Sequence, residues 1–197
     1  ILFSRNSGYG LFATLAGTYA LALKSMFNQD EFNIGTPMSG RLLNGMENIL
    51  GMFVNLYPIP IKFSSNLSDE MQSDTIMSGI RSWLADAIQF QDFPMKLVQT
   101  ETTEEMNSSK FNVMFALQNM DISPTTIQDD LNAIPIPFYD LPWNVTKFDL
   151  SLYSMEVGKS IVLSFEYKNE VLTQEDILQL SKNMEKILYR VSIRNIP

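Results

Sequence analysis

Phe111-Asn112-Val113-Met114-Phe115-Ala116-Leu117-Gln118 is the stretch on which the fold reading turns. Phe111, Val113, Phe115 and Leu117 alternate with Asn112, Met114, Ala116 and Gln118, and that two-residue period is the signature of a strand. Two more strands are predicted after it, Lys147 to Tyr153 and Ile161 to Tyr167, joined by a hairpin through Val157-Gly158-Lys159. Before it, Ser68 is a natural N-cap, and Asp69 and Glu70 complement the dipole of a helix running toward Phe90. The buried stripe of that helix is Ile76, Ile80, Trp83, Leu84, Ala87 and Ile88. Asp92, two residues before Pro94, starts a short second helix through Val98.

Further out, Leu11, Phe12, Leu15, Ala16, Tyr19, Ala20, Leu23, Met26 and Phe27 follow helical spacing with Ala and Leu between them. Such a helix is apolar on most sides and belongs between layers. Asn28-Gln29-Asp30 ends it. Phe32-Asn33-Ile34 reads as a brief strand stopped by Gly35-Thr36-Pro37, and Gly40-Arg41 continue an exposed loop. Phe53 to Phe63 is strand-like, but Pro58 and Pro60 each lack an N–H, so its second half must lie at an edge or beyond the sheet. At the far end Thr173 and Asp176 open a helix that carries Ile177, Leu180, Met184, Ile187, Leu188 and Val191 on one face. The order helix, strand, strand, helix, strand, strand, strand, helix predicts an α/β (α+β layered) fold, a mixed β-sheet with packed helices.

The chain has 197 residues with 45% hydrophobic and 18% charged positions, enough for one large domain or two small lobes. It has 14 Lys+Arg against 22 Asp+Glu, a net charge of -8, which argues against nucleic acid and against a polybasic membrane anchor as partners. Cys and His are both absent. That excludes disulfides, thiol nucleophiles, imidazole bases, Ser-His-Asp triads and the usual zinc ligands. Chemistry within the chain is limited to carboxylate, Lys, Tyr, hydroxyl and backbone groups. With no signal peptide and no unbroken apolar span, the expectation is a soluble, cytoplasmic protein. A first residue of Ile suggests a piece of something longer.

Several local signals carry no site. Gly8-Tyr9-Gly10 lacks the spacing and preceding strand of a phosphate loop. The glycosylation-like triplets at Asn66, Asn107 and Asn144 have no secretory context. Asp129-Asp130 and Glu101, Glu104 and Glu105 read as solvated faces, so no metal is expected. Residues 120–146 contain Pro124, Pro135, Pro137 and Pro142 with little periodicity. So long an irregular stretch is functional or leans on something else.

Other segments gain meaning from their order. Gln29-Asp30, Ile34-Gly35-Thr36-Pro37-Met38-Ser39-Gly40-Arg41, Leu50-Gly51-Met52-Phe53-Val54-Asn55, Gln91-Asp92-Phe93-Pro94, the Phe111 strand, Lys147-Phe148-Asp149-Leu150-Ser151-Leu152 and Phe165-Glu166-Tyr167 follow one another along nearly the whole chain. In that order they resemble the C-terminal half of a condensation domain from nonribosomal peptide synthetases. The family's paired-His signature, which belongs to its N-terminal lobe, is absent. The motif with Arg and Pro near residue 106 is degraded to Met106-Asn107-Ser108-Ser109-Lys110-Phe111. Tyr57-Pro58 resembles the related epimerization domains.

The resemblance implies one lobe of a chloramphenicol-acetyltransferase-like fold, with 1–197 as a C-terminal subdomain and residues 120–146 as a latch toward the partner lobe. It implies joining of a carrier-bound acyl or peptidyl thioester to an aminoacyl amine, with catalytic residues elsewhere and the chain inactive alone. The implied partners are the N-terminal condensation lobe and carrier proteins, whose phosphopantetheine is the only prosthetic group; the chain itself needs no cofactor. Arg41, Phe53, Val54 and Asn55 are assigned to the substrate tunnel and inter-lobe face. Arg41 suits a salt bridge to a carboxylate of the other lobe or a solvated surface position. Asn55 can donate and accept near the substrate or be satisfied by backbone. Phe138, Tyr139, Leu141 and Trp143 are assigned to the latch interface, with self-association expected if their apolar surface is uncovered. Gln91, Asp92 and Pro94 read as a cap and packing unit. The alternatives are an epimerization-type lobe and a non-catalytic carrier-protein docking module.

Overall fold

An apolar run with few helix breakers forms the centre of the molecule. The computed structural model describes residues 7–91, 111–118, 146–158 and 160–193. Helix α1, Gly10–Phe27, is buried on nearly every side from Ala13 to Ala20 and again at Ala22 and Leu23. Thr14 and Thr18 sit inside it because their hydroxyls donate back to Gly10 O (2.8 Å) and Thr14 O (2.7 Å). The helix stops where Asn28 turns left-handed at φ 53°, its N–H donating to Lys24 O at 2.9 Å.

Strands β1 (Glu31–Met38) and β2 (Asn55–Lys62) follow, then helix α2 (Asp69–Gln89), strands β3 (Val113–Gln118), β4 (Leu150–Val157) and β5 (Ser160–Tyr167), and helix α3 (Gln174–Ile193). The element order is the one expected from periodicity. Ser68 caps α2 by accepting from Met71 N–H at 3.4 Å. Thr173 and Asp176 form a reciprocal box at α3: Thr173 N–H donates to Asp176 Oδ2 (2.8 Å) and Asp176 N–H to Thr173 Oγ1 (3.2 Å). The Thr173 hydroxyl (2.7 Å) and then the Thr173 N–H, both donating to Asp176 Oδ2, hold that carboxyl below its ordinary pKa.

The sheet is mixed, in the order β2-β1-β3-β4-β5. The β1–β2 and β4–β5 pairs are antiparallel, whereas β3 runs parallel to both β1 and β4. The registers put Ile34, Ile59, Ile61, Phe63, Phe115, Leu150 and Leu152 on one face. There they share a single apolar cluster with α1, with Ile76 and Ile80 of α2, and with Ile177, Leu180 and Met184 of α3. Helices α1 and α2 approach closely at Gly17, where an added methyl would lie 2.7 Å from Met77 Cγ.

Pro58 and Pro60 place β2 at the sheet edge, as expected. The bond from Phe63 N–H to Asp30 O sets the ladder phase, so both prolines fall on non-hydrogen-bonded positions and the side where N–H is missing faces away from β1.

The expectation that Gly35-Thr36-Pro37 stops β1 is corrected, because the strand runs on to Met38. By the same phase, the missing N–H of Pro37 faces the β3 side, where pairing has already ended at Gly35 with Met114. Gly35 lies within the strand as the residue without a side chain, because the Phe111 ring occupies that place, 1.9 Å from an ideal Cβ. The predicted strand at Lys147 begins at Leu150 instead. Asn112 O accepts from both Asp149 N–H (2.9 Å) and Leu150 N–H (3.3 Å), which starts the parallel ladder there, while Phe148 stacks on Phe111. The predicted short helix at residues 92–98, the polar segment 100–109, the degraded motif at 106–110 and all of the latch stretch except Thr146 lie outside the described residues.

Candidate functional site

Residues 39–54 join β1 to β2 and carry Arg41, Phe53 and Val54, with Asn55 as the first residue of β2 paired with Met38. Of these four, the structure sets Arg41 on the Phe53 ring, while Val54 and Asn55 are the next residues in the chain. Phe138, Tyr139, Leu141 and Trp143 lie outside the described residues.

One side chain takes up three carbonyls of the loop, and several of its apolar side chains are exposed. Arg41 Nη1 donates to Met46 O and to Ile49 O (3.0 Å), and Nη2 donates to Gly51 O (3.1 Å). Its guanidinium also lies over the Phe53 ring, 4.4 Å from the centroid. A planar fork with donors on both nitrogens can hold several carbonyls at once, which an ammonium cannot do in one plane. Within this chain the guanidinium is therefore turned onto its own loop. One 3-10 turn, Met46–Asn48, lies inside the encircled segment. Around it, Leu43, Ile49, Val54 and, most of all, Leu50 (100% exposed) and Met52 (89%) face solvent. Asn55 is also exposed.

The loop is fastened at its root as well. Gly40 has φ 63°, and an added Cβ would sit 2.3 Å from Phe53 O, so two chain passes meet with no room for a side chain. Gly40 N–H donates to Gln91 Oε1 (3.1 Å), Gln91 Nε2 donates to Ile88 O (3.1 Å), and the buried Tyr57 hydroxyl donates to Gln91 O (2.7 Å). Gln91 is only 6% exposed. A residue read from the sequence as a cap and packing unit thus ties α2, β2 and the loop root together. The polar residue beside a helix end was visible in the sequence, but its partners were not.

No group of His, Cys, Asp and Glu that could hold a metal exists among the described residues. A cavity of about 430 Å³ is lined by Leu23, Phe27, Gln29, Phe32, Asn33, Phe111, Asn112 and Val113. It lies at the start of β1, away from the 39–54 loop, and none of its described lining residues is titratable.

A family profile described as Condensation domain matches residues 3–193. The chain belongs to the condensation-domain family. It is 26% identical over 189 residues to tyrocidine synthase 3 of Brevibacillus parabrevis, covering 92% of this chain and 3% of that protein. It is 27% identical over 188 residues to gramicidin S synthase 2 of Brevibacillus brevis, covering 94% and 4%. Among solved structures, the condensation domain of the Monacolin K polyketide synthase superposes with a TM-score of 0.71 at 15% identity, covering 97% of this chain and 43% of that one. A four-domain nonribosomal peptide synthetase superposes at 0.74 with 13% identity, covering 96% and 15%. The fold is thus that of the chloramphenicol-acetyltransferase-like condensation domains. The chain spans a small fraction of the curated relatives and under half of the condensation-domain chain it superposes on.

Proposed function

We propose that this chain forms the C-terminal wall of the cleft in which a nonribosomal peptide synthetase condensation domain makes an amide bond. The observation that carries the reading is the 39–54 loop. Arg41 takes up the carbonyls of Met46, Ile49 and Gly51, while Leu43, Leu50 and Met52 face outward. Carbonyls already satisfied within the chain do not have to be stripped of water when the loop is covered. Contiguous exposed apolar side chains gain by being covered. Such a loop is suited to packing against a second lobe.

The reaction joins an acyl or peptidyl thioester on one carrier protein to the amine of an aminoacyl thioester on another. The amine nitrogen attacks the thioester carbonyl, the carbon–sulfur bond breaks, and the donor carrier leaves with a free thiol. Proton handling at the nitrogen falls to an imidazole on another segment, because this chain has no His. The wall supplies shape and orientation, by which two carrier-bound groups are held in reach of each other. The phosphopantetheine arms arrive with the carriers.

The test supplies carrier-bound donor and acceptor to the chain alone, and to the chain combined with a segment bearing the paired His. Amide product in the combination only is expected. Turnover by the chain alone, or none in the combination and in a single polypeptide containing both, overturns the proposal.

A further inference from the structure

We infer that Gln91 is a positioning residue that sets the 39–54 loop in the shape in which it meets its partners, an inference that rests on the cleft-wall reading. Three chain segments converge on this one side chain and its carbonyl. Its Oε1 accepts from Gly40 N–H, its Nε2 donates to Ile88 O in the last turn of α2, and its backbone oxygen accepts from the Tyr57 hydroxyl on β2. An amide is suited to this task because it offers an acceptor and a donor in one plane, so one side chain bridges an N–H of the loop and a carbonyl of the helix. At 6% exposure the bridge is shielded from water. Removing it leaves a donor and an acceptor without partners.

The clamp acts at the root of the loop, whereas Arg41 acts at its head. Gly40 is the residue at which the chain leaves β1, and Phe53 O is packed against it as the chain returns toward β2. With both passes pinned at that point, the apolar head cannot swing as a unit without breaking the Gly40–Gln91 bond. The end of α2 and the loop therefore move together, and Gln91 carries the position of one to the other.

The test combines amide hydrogen exchange by NMR on the full chain with amide-bond formation by the intact polypeptide that carries it. In the unsubstituted chain the Gly40 amide is expected to be protected; an unprotected Gly40 amide overturns the proposal without any variant. Gln91→Ala is expected to speed exchange across residues 40–54 about tenfold, with Phe115 and Leu152 amides unchanged. Tyr57→Phe should do the same to a smaller extent. Gln91→Glu keeps an acceptor for Gly40 but sets a carboxylate oxygen against Ile88 O, and should restore the protection only in part.

In amide formation, Gln91→Ala is expected to raise KM for the carrier-bound substrates more than it lowers kcat, and Gln91→Glu to recover part of the loss. Unchanged loop exchange in Gln91→Ala overturns the clamp, and so does equal acceleration in the core, which would make the residue merely structural. A loosened loop with unaltered amide formation overturns the positioning role and leaves the cleft-wall reading intact. Absence of amide formation in the unsubstituted polypeptide overturns the cleft-wall reading itself.

Discussion

β2 and β5 end the same sheet, each eight residues long and each antiparallel to its inner neighbour, yet their outer sides differ in chemistry. On β2, the residues whose N–H would face outward include Pro58 and Pro60, so two donors are missing by covalent structure. On β5, Lys168 N–H donates to Asp149 O, and carrying that phase along the register turns the N–H groups of Ile161, Leu163, Phe165 and Tyr167 outward. None of these is proline, and among the described residues no strand lies beyond them. One edge is closed by the residues themselves, and the other retains the means to pair.

A phase test offers the largest effect. Ser164 pairs with Tyr153 at a hydrogen-bonded position, so Ser164→Pro removes a ladder bond and leaves its carbonyl partner unmatched, at an expected cost of about 2 kcal/mol in urea unfolding. Leu163→Pro, at an outward-facing donor, is expected to cost clearly less. Equal losses would show that the assigned phase is wrong.

Restoring donors on the other edge sharpens the comparison from the opposite side. Pro58→Ser with Pro60→Ser is expected to lower stability by about 1 kcal/mol, through greater freedom of the unfolded chain, and to increase self-association in sedimentation velocity. No change in association would mean that the prolines do not guard the edge.

Ion pairs flank both edges and are a smaller probe. Lys168 and Asp149 lie 2.7 Å apart with side chains 38% and 28% exposed, against 77% and 71% for Lys62 and Glu31 at 3.3 Å. Asp149→Ala should cost roughly 0.5 kcal/mol and Lys62→Ala close to nothing, since exposed pairs are screened by water; thermal unfolding in low and high salt would separate them.

The smallest effect is spectroscopic. Burial and the neighbouring Glu166 carboxylate raise the Tyr153 phenol above 10.0. A raised pKa favours the protonated form in the folded chain. Its contribution is therefore complete below pH 10.0 and is lost as pH climbs through the folded-state value. Tyr153→Phe should remove one late component from the alkaline absorbance titration and lessen the alkaline loss of stability.

Much of this was legible in the residues. The alternation from Phe111 to Gln118, the all-round apolar run before Phe27, and Ser68 and Thr173 as helix starts marked the elements in their order. Two prolines in one strand placed β2 at an edge, because a missing N–H restricts a strand wherever it occurs. What was misread depended on neighbours. Gly35-Thr36-Pro37 looked like a stop, and only the end of β3 pairing beside Pro37 shows why the strand continues. Arg41 was assigned from the sequence to the inter-lobe face, whereas its carbonyl partners come from its own loop, whose path no periodicity encodes.

From the sequence alone came the elements, their caps and the absence of any imidazole or thiol, because backbone sterics, side-chain period and atom inventory are properties of adjacent residues. Only the tertiary structure decided the strand order, which proline donors are never needed, and the meeting of Gly40 with Gln91, 51 positions away. Hydrogen-bond partners are chosen by whatever packing brings within about 3 Å, and local sequence carries no record of that choice.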